Sequence, residues 1–269
     1  MEPVVEKGIH PTAVISENVK IGKNVSIGAY SIIGNNVEIG DNVKIGHHVY
    51  IERNTKIGNN VKIFPFAVLG TDPQDLKYRG EETYLEIGDN TIIREFVTIN
   101  RGTSENIKTI IGKNCLLLEY VHIAHDCVLG DYVIMSNNAT LAGHCKVGDH
   151  ATLSGFVIVH QFSKIGAYSF IQGGSKVNKD IPPFALAADD PLVFHHINIE
   201  KLRRLNFSKE DIHFISKLYD ELYVDLKVPL RKAAEIIKEK YKNNKYAQLI
   251  SDFILSSERG VIRYIKEFK

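Results

Sequence analysis

Residues 21–46 read IGKNVSIGAYSIIGNNVEIGDNVKIG, with an isoleucine at every sixth position and a glycine behind each. The column begins at Ile9 and runs through Ile15, Ile21, Ile27, Ile33, Ile39, Ile45, Ile51, Ile57 and Ile63 to Leu69. It resumes at Ile87, Ile93 and Ile99, and again from Ile111 through Ile123, Met135, Val147 and Val159 to Val177. A smaller column lies two residues earlier, at Val19, Val25, Val37, Val43, Val49, Val61 and Ala67. Residues i−2 and i share a face of an extended strand. Each hexad is therefore expected to be a short strand with both columns inward, followed by a glycine-containing turn. An amphipathic helix needs apolar spacings of three and four, and a coiled coil needs seven. Six fits neither.

This period resembles the hexapeptide-repeat family. It implies a left-handed parallel β-helix in which three hexads form one triangular coil, so that like positions recur every 18 residues. Coils that touch only their neighbours make a quasi-one-dimensional stack, each fully buried aliphatic contributing about 1.5–3 kcal/mol. The register breaks at about 71–86 and again at about 100–110, and both breaks are expected to be loops extruded from the stack. The solenoid is expected to span 1–183 and to end at DIPPF, where Pro182 and Pro183 cannot donate ladder hydrogen bonds. Residues 184–197 read as a linker. From 198 to 269 the period turns helical: Ile212, Ile215, Leu218 and Leu222 share a face behind a Ser208 cap, Pro229 suits another helix start, and a last helix covers roughly 245–257.

Composition limits the function classes. The 269 residues carry 44% hydrophobic and 24% charged side chains and a formal charge of +1. A near-neutral chain is not a general nucleic-acid binder, and no apolar run is long enough to span a bilayer stably. The opening MEPVVEKGIHPT is unlike a secretory signal. Three cysteines are too few for a disulfide framework, and a cytoplasmic setting is expected.

The 18-residue ruler sorts the chemically interesting residues. Cys115, Cys127 and Cys145 each precede an inward aliphatic by two, so they belong to the small buried column. In VHIAHDC (121–127), His122 lies between inward Val121 and Ile123 and faces out, and His125 sits at the following turn. One coil on from His125 lies Gly143, and two coils on lies Gln161; Asp126 is followed by His144. With outward His160, these residues gather along one outer edge. Three readings follow: solvated structural histidines; a zinc site of the kind built from three histidines in trimeric hexapeptide carbonic anhydrases; or general-base acyl transfer. In the last, neutral His125 takes a hydroxyl proton, Asp126 fixes its tautomer, and the Gly143 N–H steadies an oxyanion.

The chain further resembles the UDP-N-acetylglucosamine O-acyltransferase family, which begins lipid A synthesis. The resemblance spans nearly its whole length and rests on IHPTA (9–13), PQDLKY (73–78), RGT (101–103), HIAHDC (122–127), NNATLAGH (137–144), VHQF (159–162), DIPPF (180–184), NIE (198–200) and GVIR (260–263). It implies His125, Asp126 and Gly143 as the catalytic set. It implies substrate contacts from Asp75, Lys77, His122, His144, His160, Gln161, Asn198, Glu200 and Arg204, and an acyl-chain ruler at Gly173. It also implies a homotrimer with sites between neighbouring solenoids, no bound metal and no resident cofactor. The donor would be an acyl carrier protein whose phosphopantetheine carries the acyl thioester, and the acceptor UDP-N-acetylglucosamine or its 3-amino analogue. The basic run Lys201, Arg203, Arg204 and Lys209 suits an acidic donor protein. Two departures stand out: Asn100 occupies a position where familiar members read histidine, and 188–196 (ADDPLVFHH) differs from the family pattern.

Overall fold

A computed structural model describes residues 1–264; residues 265–269 of the C-terminal segment lie outside the described residues. The hexads form three sheets of nine, eight and ten strands, parallel but for one terminal strand, and strands adjacent in a sheet are three apart in chain order except at the C-terminal end of the third. The fold is a left-handed parallel β-helix capped by α-helices. Most strands are only two residues long, one outward residue followed by one inward aliphatic, as in Lys44–Ile45 and His122–Ile123. Both columns are buried from Val25 onward, the aliphatic one at 0–4% exposure between Ile27 and Val177. Ile9 and Ile21, by contrast, are 48% and 37% exposed, because the first coil has no coil beneath it.

The glycines do a different job from the one their position suggests. Gly28 and Gly40 have ordinary φ; they are required because a Cβ there would lie 2.6–2.8 Å from the backbone of the next coil. The left-handed residue of each turn is two positions later: Asn24, Tyr30, Asn36, Asn42 and His48, all with φ of 55–58°. These stack as ladders. Asn24, Asn42, Asn60 and Asn90 are chained by amide hydrogen bonds, and Tyr30, His48, Phe66, Phe96 and Tyr120 by ring stacking. Asn tolerates this backbone region because its short side chain bonds locally. Stacking with the coils above and below compensates the aromatic residues.

Strand partners are 18 residues apart, as in Tyr50 and Val68, except across the two breaks and at the last coil, where Phe170 pairs with Leu186. Val68 pairs with Thr98 and Thr98 with His122, so the insertions add twelve and six residues. The flanking strands reach Thr71 and Asn100 and restart at Tyr84 and Lys108, which trims the loops to 72–83 and 101–107. Both loops leave the same edge, between the nine- and eight-stranded sheets.

The expected linker is not a linker. Ala185–Ala188 is another strand of the third sheet, parallel to Phe170–Ile171, and Val193–Ile197 folds back antiparallel on it. Pro182 and Pro183 do not end the stack, since the ladder resumes beyond them, where the Phe184 N–H donates to the Ala167 carbonyl at 2.7 Å and the Gln172 N–H to the Ala187 carbonyl at 2.9 Å. Helix α1 (Ile199–Arg204) follows, then α2 (Lys209–Asp220), which runs into a π-helical turn at Glu221–Asp225, then α3 (Leu230–Lys240) and α4 (Lys245–Leu255). Ser208 caps α2 by accepting from the Asp211 N–H at 3.0 Å. Buried Asp180 pins tail to solenoid, accepting from the Lys164 N–H at 2.8 Å and the Ser257 hydroxyl at 2.6 Å.

Candidate active site

The edge that carries both loops also carries the histidines. His125 and Asp126 sit at the turn between His122–Ile123 of the first sheet and Val128–Leu129 of the second. Asp126 occupies the left-handed corner position, with φ 62°, and its side chain folds back into the edge, 2% exposed. Its Oδ2 accepts from His125 Nδ1 at 2.8 Å. An ionised carboxylate only accepts, so Nδ1 carries the proton and neutral His125 presents Nε2 as a free base. Oδ1 accepts from the Thr103 N–H at 2.9 Å, and Oδ2 also from the Thr103 hydroxyl at 2.8 Å. The Asp126 N–H donates to Thr109 Oγ1 at 2.8 Å. Burial alone would raise the Asp126 carboxyl, but the hydrogen bonds from His125 and Thr103 and the nearby His144 hold it below its ordinary value.

Gly143 lies directly over the His125 ring. A Cβ there would come within 2.6 Å of Cε1 and 2.8 Å of Nε2. At the corner between the second and third sheets the N–H at this turn position is taken by an Asp or Asn side chain one coil on, as Lys23 is by Asp41 and Asp131 by Asp149. One coil beyond Gly143 stands the exposed Gln161, and among the described residues no protein acceptor takes the Gly143 N–H. The Gly143 corner has no such side chain, and its N–H is free to donate beside the base.

His144 stands at the next left-handed corner, its ring edge-on to His125 at 5.1 Å and stacked on Phe162 at 4.5 Å. Its Nδ1 lies 3.1 Å from the Asn106 amide nitrogen, which can only donate, so the imidazole proton sits on Nε2, 3.6 Å from Asp126 Oδ2. The side chains of His125 and His144 face outward but are only 12% and 10% exposed, more enclosed than edge positions alone imply. Glu105 and Asn106 of the second loop and the rings themselves shield them, beside a groove of about 460 Å³. His122 bonds Thr98 Oγ1 through Nδ1 at 2.7 Å; burial, then the proximity of His125, lowers its pKa. His160 and Gln161 are exposed on the same edge, one coil beyond Gly143. Single ligand atoms of His125, Asp126 and His144 fall within 4.8 Å of one another, a spacing that a metal ion could also use.

Asp75 and Lys77 lie on the first loop, where Asp75 Oδ1 accepts from the Lys77 N–H at 2.9 Å. Asn100 and Arg101 hold that loop. Asn100 donates to Thr71 Oγ1 and the Asp72 carbonyl, and fully buried Arg101 donates to the Gly70 carbonyl, the Asp72 carboxylate and the Tyr78 hydroxyl. Other expected residues are not brought to this edge within one chain. Asn198 caps α1 and donates to the Tyr168 carbonyl at 3.0 Å, at the corner between the second and third sheets. Glu200 and Arg204 are exposed on α1, Glu200 paired with Arg203. Gly173 is exposed at the remaining corner, between the third and first sheets. The three cysteines are buried and free; burial pushes the Cys115 thiol up to about 11.

A relative from Helicobacter acinonychis (strain Sheeba), named acyl-[acyl-carrier-protein]–UDP-N-acetylglucosamine O-acyltransferase, is 50% identical over 261 residues, 97% of this chain and 96% of the relative. The chain belongs to the UDP-N-acetylglucosamine O-acyltransferase family. It is an acyltransferase. A profile for the second domain of UDP-N-acetylglucosamine O-acyltransferases matches residues 180–262, and a bacterial transferase hexapeptide profile matches 18–53 and 108–143. A relative from Thiobacillus denitrificans (strain ATCC 25259 / T1) bearing the same name is 46% identical over 95% of this chain and 99% of its own length. The solved UDP-N-acetylglucosamine acyltransferase from Bacteroides fragilis 9343 superposes with a TM-score of 0.91 at 44% identity, over 94% of this chain and 99% of that one. The Francisella novicida enzyme does so with 0.93 at 40%, over 96% and 94%.

Thr103, Thr109, Asn106 and Arg101 of this acyltransferase escaped the hexad ruler. Three of them lie in or border an extruded loop, where no period constrains side-chain direction. The signal that could have found the corner residues is the left-handed column itself: Asn36, Asn54, Asp126, His144 and Phe162 stand on it.

Proposed function

We propose that the protein transfers an (R)-3-hydroxyacyl chain from acyl carrier protein to the 3-position of UDP-N-acetylglucosamine, the first step of lipid A synthesis, with His125 as general base. The observation that carries this reading is the His125 imidazole, held through Nδ1 by Asp126 at 2.8 Å, with Nε2 free beside the unpaired Gly143 N–H. The acceptor oxygen attacks the thioester carbonyl carbon as its proton passes to Nε2. Negative charge on the tetrahedral oxygen meets the Gly143 N–H, and Asp126 steadies the imidazolium. The C–S bond breaks, and the departing phosphopantetheine sulfur recovers the proton from His125. An ester and a free carrier thiol result, with no enzyme nucleophile and no resident cofactor needed.

His122, His144, His160 and Gln161 would line the sugar, with Asp75 and Lys77 reaching it from the first loop. Asn198, Glu200 and Arg204 would come from α1 and Gly173 would meet the acyl chain. These last four lie at other edges of the same chain, so the reading includes a homotrimer whose neighbouring solenoids complete each site. The Lys201, Arg203, Arg204 and Lys209 cluster would steer the acidic carrier protein, and the setting would be cytoplasmic. No described helix is long and apolar enough to cross a membrane.

The close spacing of His125, Asp126 and His144 favours a second reading, a zinc site. The base reading accounts for more: the Asp126 oxygens already accept from three donors, and His144 Nδ1 already accepts from Asn106. The test is an acyl-transfer assay with a ladder of 3-hydroxyacyl carrier proteins and both UDP-N-acetylglucosamine and its 3-amino analogue. Product with UDP-N-acetylglucosamine supports the reading. Absence of product from folded protein, with stoichiometric zinc removable by chelator, overturns it in favour of the metal site.

A further inference from the structure

We infer that Thr103 is a positioning residue for the proton-transfer step, holding the Asp126 carboxylate at the angle that aims His125; the inference rests on the base reading above.

Asp126 is a carboxylate in an awkward place. Its backbone has the left-handed conformation used by the asparagines of the other coils, and its side chain is 2% exposed. The Asn corners satisfy one another by amide ladders. Asp126 cannot join such a ladder as a donor, and the coil above offers His144 at 3.6 Å, beyond hydrogen-bond reach. A buried carboxylate without donors would rotate toward whatever water or cation it could find, or take up a proton. Thr103 prevents both by gripping it from two sides, N–H on Oδ1 at 2.9 Å and hydroxyl on Oδ2 at 2.8 Å. Two donors on different oxygens fix the carboxylate plane, and the remaining direction on Oδ2 points at His125 Nδ1.

Thr103 is itself rigidly held. Its Oγ1 accepts from the Glu105 N–H at 3.3 Å, which leaves its own hydrogen for Asp126, and its carbonyl accepts from the Ile107 N–H at 2.7 Å. Gly102 lets the loop return so closely that a Cβ there would meet the Lys108 nitrogen at 2.4 Å. Thr109, fully buried, accepts the Asp126 N–H and fixes the backbone end of the same residue. The second extruded loop thus supplies the orientation of a base that stands a coil away, through a residue that is itself 4% exposed.

The experiment compares Thr103→Val, which keeps the N–H and the shape but deletes the hydroxyl, with Thr103→Ser and His125→Ala. In Thr103→Val, kcat is expected to fall about ten- to a hundredfold, the rate equivalent of one hydrogen bond to a charged group, while KM for the sugar nucleotide stays constant. Thr103→Ser restores kcat. If Thr103→Val lowers the melting temperature sharply, Thr103→Ser against Thr103→Ala decides, since these two differ by the hydroxyl and little else. An active-as-wild-type Thr103→Val beside an inactive His125→Ala overturns the role of Thr103 alone. A His125→Ala protein that keeps its rate overturns the base reading and this inference with it.

Discussion

Gly143→Ala isolates the geometry of the base from its chemistry. The substitution changes no titrating group, adds one methyl, and sits at ordinary backbone angles. Yet the added Cβ would lie 2.6 Å from His125 Cε1, 2.8 Å from Nε2 and 3.2 Å from Nδ1, where ordinary contact begins at 3.4 Å. The ring must give by about 0.8 Å, or the turn must. The His125–Asp126 bond is already 2.8 Å long, and Asp126 is clamped by Thr103, so the ring cannot retreat without stretching that bond. A displacement of about 1 Å at a reacting group costs on the order of 10²-fold in rate. Overpacking at a single methyl costs about 1–3 kcal/mol of stability, which a multi-coil solenoid tolerates. Steady-state acyl transfer should therefore show kcat reduced about a hundredfold, with a cooperative melt close to that of the wild type. A Gly143→Ala enzyme within threefold of wild-type kcat would refute the close packing of ring on glycine as a determinant of catalysis.

Asp126→Asn should lower kcat about 10²–10⁴-fold, since an amide can donate to Nδ1 and so turn the imidazole to the wrong tautomer; unchanged kcat in the transfer assay would contradict this. The same variant reports linkage. The folded Asp126 carboxyl lies below its unfolded value, so its stabilisation is complete above that unfolded value, near pH 3.9, and is lost as pH falls through the folded one. The melting-temperature gap between wild type and Asp126→Asn should shrink in that acid window. In an NMR titration, the His122 ring should protonate below its ordinary pKa of about 6.5, as burial and the neighbouring His125 dictate; a midpoint above that value would contradict the assignment. Asp180→Ala leaves the Lys164 N–H and Ser257 hydroxyl without their acceptor and should cost about 2–4 kcal/mol in denaturant unfolding. A loss under half that would mean the tail is held elsewhere.

Much of this was legible because a solenoid converts sequence position into direction. Six-residue spacing places Ile27 and Ile123 in the core without reference to any other part of the chain, and it places Cys127 beside them. It also stacks Gly143 on His125, since the coils repeat. The ruler fails wherever the period is broken. Thr103 and Asn106 lie in a loop whose direction is set by Gly102 and by the hydrogen bonds of Thr103, and neither leaves a periodic trace. Residues 184–197 look like a linker for a related reason: the prolines before them suggest an end, but Phe184 takes the left-handed corner and the next strand pairs as usual. The hexad glycines suggest turn-formers, but the constraint on them is the distance to the next coil, a tertiary quantity.

The most direct test of the account is the acyl-transfer rate of His125→Ala against wild type, with oligomeric state and melting temperature measured on the same preparations. His125 is outside the core, and among the described residues its side chain hydrogen-bonds only Asp126, so the fold and assembly should persist. A folded His125→Ala protein whose kcat is lower by at least about 10² is the predicted result. A folded variant with near-wild-type kcat would show that another group takes the proton.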